Sequence, residues 1–419
     1  MPKQKPLHED WISVILALAS IALIVGGLHP AMPKFDWNNG SSLLEQLSGA
    51  ANLGRMGGLY CWMLGSLVLA FILGGKKITA QVATGLLAIM VISMFAQVIT
   101  GNTRVKDLGI EIVLFSLLLG LFISNVTGVP GFIKPVLQTE LFIKTGLVLL
   151  GSAIIFQELL KGGGLGVLQS VVVVFTVWYF TFWLCKKFGL DDEFRMMISS
   201  AVSICGVSAA IATSGAIEGD NKKLSHVISL VLIVAIPMMI FMPYIALALN
   251  MPPEVAGAWL GGTIDTSGAV VAAGTMLGDE ALKYATLVKF SQNVLLGLAA
   301  FLISIWWTYS KKELNQPKPG LRTIWERFPK FVLGFIFVSL LFSFVFSPDL
   351  VKSIKGNIKD LQTCFFALAF TCIGLETKFT DIFKMENGRP AMAFIIAQVF
   401  NILITLVMAY LVFGGILFK

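Results

Sequence analysis

Charged residues are scarce in this chain. Only 13% of its 419 residues are Asp, Glu, Lys or Arg, whereas soluble domains carry about 25%. Hydrophobic residues make up 56%, and the mean hydropathy is +0.84. A chain this long and this apolar cannot bury its hydrophobic side chains in a water-soluble core. The sequence therefore predicts an all-α, multi-pass protein of the bacterial cytoplasmic membrane, surrounded by the lipid bilayer.

Residues typical of metal sites and of common enzymes are also few. The three histidines and five cysteines are scattered, with no pair at a metal-ligand spacing. The chain has no Walker lysine loop, no GxGxxG, no GxSxG and no HExxH. We therefore expect no catalytic residues, no metal, no bound cofactor and no use of ATP. The net charge of +7 comes from short loops and not from one basic stripe, so nucleic acid is not an expected partner.

Long apolar runs dominate the rest of the sequence. A membrane-spanning helix needs about 20 mostly apolar residues. Thirteen runs are candidate spans: 11–28, 59–75, 80–100, 108–126, 140–160, 165–185, 196–216, 226–249, 256–277, 284–308, 328–346, 361–376 and 391–414. Small and polar residues interrupt the runs 196–216, 256–277 and 361–376, which predicts broken helices there.

The distribution of Lys and Arg predicts the orientation. With a cytoplasmic N-terminus, the inside loops hold seventeen of these residues and the outside loops twelve. The loop 309–330 contributes six of the seventeen. Positive charge is enriched in cytoplasmic loops, so we expect the N-terminus inside and the C-terminus outside.

Two lysines, Lys144 and Lys289, lie inside the candidate spans. Each begins the second span of a possible five-span unit, and the sequences around them are similar. An odd number of spans gives two such units opposite orientations, as in the inverted repeats of secondary transporters. The predicted domains are an N-terminal three-helix extension (1–105), inverted repeat 1 (106–250) and inverted repeat 2 (251–419). Alternatively, both lysines reach the membrane interface from helix ends.

The interrupted runs supply candidate ligands. The stretch 203–208 and the stretch 263–268 combine small residues with hydroxyls, and an interrupted helix can offer backbone N–H groups to an anion. The candidate substrate-binding residues are Ser203, Cys205, Gly206, Ser208, Thr263, Thr266, Ser267, Lys144, Lys289 and Asn293. Asp265 and Glu376 are the candidates for binding a coupling ion, Na⁺ or H⁺. Structural alternatives are close helix packing at 203–208 and helix capping by Asp265.

Several stretches resemble the YeiH-like sulfate exporter family over residues 108–414. They are Ser203-Ile-Cys-Gly-Val-Ser-Ala-Ala-Ile-Ala, Ile264-Asp-Thr with Val270-Val-Ala-Ala-Gly274, Ala285-Thr-Leu-Val-Lys289, 328–335 and Gly374-Leu-Glu-Thr. The resemblance, which extends to bile-acid and Na⁺/H⁺ antiporter relatives, implies an inverted five-plus-five core with crossing broken helices and a moving (elevator) transport domain. It also implies export of sulfate or a sulfonate, and it allows a homodimer. Ile264 replaces the family's usual histidine, and Gln292-Asn293 lies near where an arginine is common.

The leading hypothesis is a secondary transporter of a small anion that works by alternating access. Cation/proton antiport is the first alternative, because it would give Asp265 and Glu376 the main roles. A membrane-embedded enzyme or receptor is the second alternative. The longest polar loop, 309–330, is too short to form a sensory or catalytic domain.

Overall fold

The computed structural model describes residues 6–103, 105, 112–154, 156–311, 325, 328–377 and 388–417. Within these residues the chain is helical and forms no β-strand. In chain order the helices are α1 (Glu9–Val25), α2 (Gly40–Ser48), α3 (Ala50–Leu73), α4 (Ala80–Thr100), α5 (Ile112–Val126), α6 (Thr139–Leu150), α7 (Phe156–Lys187), α8 (Asp192–Ser200), α9 (Val207–Ile217), α10 (Asn221–Ala248), α11 (Pro253–Thr263), α12 (Ser267–Met276), α13 (Asp279–Lys311), α14 (Lys330–Leu340), α15 (Pro348–Glu376) and α16 (Gly388–Phe413).

Within the described residues, each of the thirteen apolar runs overlaps a helix or a pair of consecutive helices. Eight helical segments of the described chain are long and apolar enough to cross a membrane by themselves, and several shorter apolar helices accompany them. The chain is therefore a multi-pass membrane protein. The number of thirteen spans and the orientation stay predictions, and most of the 309–330 loop lies outside the described residues.

The helices group into two compact units. Unit 1 comprises Met1–Gln157 and Lys330–Lys378, and unit 2 comprises Glu158–Pro329 and Phe379–Lys419. Each unit draws on both of the predicted repeats. The predicted domain limits at 105 and 250 describe an order along the chain, and this grouping does not test them.

Unit 1 is a set of continuous helices in close contact. Its helix α15 packs against α5 and α6, and α1 packs against α6 and α14. Gly120 of α5 faces Gly374 of α15, and a methyl group added at Gly120 would lie 2.6 Å from the Thr371 carbonyl oxygen. Small residues are required where helix backbones come this close.

The predicted break in the run 361–376 is wrong. Helix α15 continues without interruption from Pro348 to Glu376. The glycine that suggested a break, Gly374, instead allows the close crossing with α5, where an added methyl group would collide with the Leu117 carbonyl oxygen. A glycine in a membrane helix serves either purpose, and the sequence around Gly374 does not distinguish them.

Unit 2 contains the other two predicted breaks, and both exist. Helices α8 and α9 are separated near Gly206, and helices α11 and α12 are separated at Ile264–Thr266. Gly257 and Gly261 of α11 lie against the backbone carbonyls of Ala281 and Ala285 on α13. The indole N–H of Trp259 donates to the Ile402 carbonyl of α16 over 3.0 Å. These contacts hold the second broken helix between α13 and α16.

Candidate functional site

The first break follows from a change in helix geometry that ends at a glycine. After α8 the backbone widens into one π-helical segment, Ala201–Cys205, and then reverses at Gly206 with φ 61° and ψ −111°. Side chains other than hydrogen rarely tolerate this conformation. A methyl group at Gly206 would also lie 2.6 Å from Cγ1 of Val231. Glycine is therefore required at this position, and α9 begins immediately after it.

The second break uses an extended segment and a side-chain cap. Helix α11 ends at Thr263, and Ile264 has φ −73° and ψ 129°. Thr266 is also extended, and its hydroxyl accepts the backbone N–H of Ala269 over 3.3 Å. Threonine is a good residue for the start of a helix because its oxygen pairs with a free N–H group of the first turn. Helix α12 therefore starts again within three residues.

Lys289 connects the two breaks. Its ammonium group donates to the carbonyl oxygen of Ile204 and to that of Ile264, both over 2.8 Å, and to Oε1 of Gln292 over 3.0 Å. A lysine ammonium has three N–H donors, so these three acceptors use all of them. The side chain is 2% exposed. The alternative in which Lys289 reaches the membrane interface is therefore wrong, because its charge lies where two interrupted helices end.

Amide side chains satisfy the other carbonyls at these helix ends. Gln292 donates to Gly262 over 2.9 Å, Gln398 donates to Thr263 over 2.9 Å, and Asn401 donates to Val202 over 3.1 Å. The last carbonyls of a helix have no partner within the helix, and in a membrane water does not supply one. Gln398 and Asn401 are not among the residues predicted from the sequence, although an amide inside the apolar run 391–414 is a usable signal.

Asp265 lies in the second break and is 1% exposed. Its Cβ lies 3.1 Å from the point where a Gly206 methyl group would be, so the aspartate adjoins the first break as well. Neither carboxylate oxygen accepts a hydrogen bond from the described residues. Buried carboxylates normally have hydrogen-bond partners. Asp265 therefore differs from the helix-end carbonyl groups around it, whose oxygens do accept hydrogen bonds.

The remaining predicted ligands of unit 2 lie around the same breaks. Ser203 is buried and its hydroxyl donates to the Ser199 carbonyl over 2.7 Å, while Cys205 is also buried. Ser208, in the first turn of α9, is exposed. Thr266 and Ser267 are half-buried at the start of α12, and Asn293 donates to the Ser267 hydroxyl over 3.1 Å. The fold thus brings together ten of the twelve predicted residues, counting Gly206, Thr263, Asp265 and Lys289.

Lys144 and Glu376 belong to unit 1, where they have other partners. Lys144 forms ion pairs with Glu9 at 2.9 Å and with Asp10 at 3.0 Å, and Glu140 lies at 3.6 Å. Glu376 is exposed and accepts the Thr139 hydroxyl over 2.8 Å. These contacts join the ends of helices within unit 1. They give Lys144 a structural role that the sequence did not indicate.

Comparison with known proteins identifies the family. Residues 84–394, more than half of the chain, match the family described as "Conserved hypothetical protein 698". The chain belongs to this family. That family description names no substrate, so the finer resemblance to sulfate exporters stays a prediction.

Relatives in this family carry the name "UPF0324 membrane protein". The chain is 42% identical to one from Rhodopirellula baltica and 38% identical to one from Nitratidesulfovibrio vulgaris, in each case over 78% of its own length. These matches cover only 62% and 59% of the two relatives. A relative from Pseudomonas aeruginosa is 27% identical over 73% of this chain and 85% of its own. No solved structure matches the chain.

Proposed function

We propose that this family member is a secondary transporter that carries a small anion across the cytoplasmic membrane by alternating access. The observation that carries the proposal is the meeting of two helix breaks at one buried lysine. In a membrane, irregular backbone is tolerated only where it is buried in protein or lines a cavity. Secondary transporters place their substrate sites at such breaks near the middle of the bilayer.

An anion fits the groups that remain available at the breaks. Lys289, Gln292, Gln398 and Asn401 occupy the carbonyl ends of α11 and of the segment before Gly206. The first turns of α9 and α12 retain backbone N–H groups that no helical carbonyl can reach. Those N–H groups carry partial positive charge, and Ser208, Thr266 and Ser267 stand in these first turns or directly before them. This combination suits a small oxyanion or carboxylate, of which sulfate and sulfonates are the first candidates.

A ligand screen on the purified protein tests the proposal. We expect one or more of sulfate, sulfite, thiosulfate, sulfonates, bicarbonate and small carboxylates to raise the melting temperature in a saturable manner. The same anion should exchange across proteoliposomes that contain the protein. Lys289→Met should abolish both effects, whereas the matched variant Lys144→Met should keep them. If no anion binds, or if Lys289→Met exchanges at the wild-type rate, the proposal fails.

Cation/proton antiport is a second candidate, favoured by the unpartnered carboxylate of Asp265. Proteoliposomes with an imposed pH gradient distinguish the two functions. Collapse of the gradient on addition of Na⁺, with chloride replaced by a large impermeant anion, would favour the antiporter. A response that requires a small anion would favour the anion transporter.

A further inference from the structure

The second break is surrounded by an unusual set of buried side-chain oxygens. Three side chains there each keep at least one oxygen without a hydrogen-bond partner among the described residues: Thr263 (Oγ1), Asp265 (both carboxylate oxygens) and Gln398 (Oε1). Their exposed fractions are 1%, 1% and 2%. A buried acceptor without a partner destabilises the folded state, so several of them around one helix break require a reason.

The orientation of Gln398 shows that its free oxygen is not a misplaced amide. Its nitrogen donates to the Thr263 carbonyl over 2.9 Å. Reversing the amide would place its oxygen against that carbonyl oxygen, which is repulsive. Oε1 is therefore the atom left over. The amide N–H group of Gln398 is also near the Asp265 carboxylate and is a weak donor toward it, but the pair lies outside the geometry of a regular hydrogen bond.

The neighbouring lysine does not satisfy these oxygens. The positive charge of Lys289 attracts the Asp265 carboxylate. The three N–H donors of the ammonium group, however, already go to Ile204, Ile264 and Gln292. Asn293, one helical turn beyond Lys289, adds one more unpartnered oxygen, Oδ1. The surplus at this break is thus one of hydrogen-bond acceptors.

We infer that Asp265, Thr263 and Gln398 bind a hard monovalent cation, Na⁺, at the second helix break. Hard cations prefer carboxylate, hydroxyl and amide oxygens, and a single carboxylate matches a single positive charge. A proton is a weaker explanation, because a protonated Asp265 gains one O–H donor and can satisfy only one of the other oxygens.

The cation site deepens the proposed function and rests on it for its role in transport. Asp265 and Lys289 contribute one charge of each sign to the buried breaks. An anion that enters beside an ionised Asp265 meets a like charge in surroundings of low dielectric constant, where repulsion is strong. Na⁺ on Asp265 removes that repulsion. Binding of the cation therefore favours binding of the anion, and the two travel together.

A Na⁺ titration of the purified full-length protein tests the site. NaCl replaces choline chloride at constant total chloride and constant ionic strength, and unfolding is followed by the fluorescence of the nine tryptophans. At saturating Na⁺ we expect a melting temperature higher by about 2–4 °C, with little effect of K⁺. Asp265→Asn should abolish the shift, and Thr263→Val should raise the Na⁺ dissociation constant at least about tenfold, the equivalent of about 1.4 kcal/mol.

Thr286→Val is the matched control. Thr286 is also 1% exposed in unit 2, but its hydroxyl donates to the Leu282 carbonyl over 2.9 Å. This variant should keep the wild-type Na⁺ dissociation constant whatever its melting temperature. If Asp265→Asn does not fold, the comparison of Thr263→Val with Thr286→Val decides the question alone.

Three outcomes would overturn the cation site. They are no Na⁺-specific shift in the wild type, an equal shift in Asp265→Asn or in Thr263→Val, and stabilisation by acid in choline chloride with no effect of Na⁺. Failure of the proposed function looks different. If Na⁺ binds as expected but no anion binds or moves, the cation site stands and anion transport fails. If an anion moves equally in Na⁺ and in choline, transport stands and the coupling of the cation site to transport fails.

Discussion

Lys144 and Lys289 lie in stretches of similar sequence, in α6 and in α13, but their ammonium groups have different partners. Lys144 pairs with three carboxylates that lie in the first turns of α1 and α6. Lys289 instead gives its three N–H donors to Gln292 and to two carbonyl oxygens at helix breaks. Negative side chains stabilise helix starts, and a cation stabilises helix ends. The comparison teaches that a lysine in a similar local sequence pairs with carboxylates in unit 1 and binds the carbonyl oxygens of an interrupted backbone in unit 2.

The largest expected effect comes from exchanging these lysines one at a time. Lys289→Met leaves the carbonyls of Ile204 and Ile264 without their donor, at about 1–3 kcal/mol each, and removes the positive charge. We expect transport to fall to background. Lys144→Met should lower the melting temperature because Asp10 is buried and loses its ion partner, yet transport per folded molecule should stay near the wild-type rate. Exchange rates in proteoliposomes, normalised to folded protein, measure the difference.

The comparison between the lysines would be wrong if the two variants behaved alike. Lost transport in Lys144→Met, with its folded fraction unchanged, would assign that lysine to the substrate path. Retained transport in Lys289→Met would mean that the breaks hold their shape without the ammonium group.

The next effect concerns the glycine of the first break. Gly206→Ala forces a methyl group into a left-handed backbone conformation, at about 1–3 kcal/mol, and against Val231. We expect a lower melting temperature and slow exchange. The control is Gly58→Ala in α3, where an added methyl group meets no atom within 4 Å. Alanine is favoured over glycine in a helix by about 1 kcal/mol, so this variant should be as stable as the wild type or more so.

Much of this site could be predicted from the sequence, because buried polar residues in an apolar run are conspicuous. Gly206, Asp265 and Lys289 were all identified in this way. Gln398 and Asn401 were not, because a single amide in a long apolar helix is equally compatible with helix packing. Their role depends on carbonyls at Val202 and Thr263, which are more than 130 residues away along the chain. A contact of that kind is a property of the fold and not of a local pattern.

The error at Gly374 has a related cause. Gly206 and Gly374 both stand among small and polar residues in apolar runs, but only Gly206 has a positive φ. Gly374 is helical and lies against α5. Local sequence shows that a glycine is present. Whether it bends the backbone or admits a neighbouring helix depends on what packs there.

Substitution of Gly374 should therefore have an effect of intermediate size that differs in kind from that of Gly206→Ala. Gly374→Ala places a methyl group against the Leu117 carbonyl, and overpacking of this kind costs about 1–3 kcal/mol. We expect a lower melting temperature with an unchanged substrate KM. Gly356→Ala on the same helix is the control, since its added methyl group meets nothing within 4 Å. A changed KM in Gly374→Ala, without loss of stability, would return this segment to the list of substrate-binding candidates.

The smallest effect is expected for a solvent-exposed charged residue. Asp220 caps the start of α10, where its carboxylate accepts the backbone N–H groups of Lys222 over 2.6 Å and of Lys223 over 3.1 Å. These hydrogen bonds, that of Lys223 first, hold the pKa of Asp220 below its usual value of 3.8.

A depressed pKa in the folded state means that the cap stabilises fully above the unfolded-state pKa and is lost as the pH falls through the folded-state pKa. Asp220→Ala should therefore lower the melting temperature slightly at pH 7, and the difference from the wild type should vanish once the pH has fallen below the folded-state pKa of Asp220. A difference that persisted in strong acid would show that Asp220 stabilises the fold by contacts other than its charged cap. High salt should weaken this solvated charge effect but leave the effect of Lys289→Met intact, because the ammonium group at the helix breaks is shielded from the solvent.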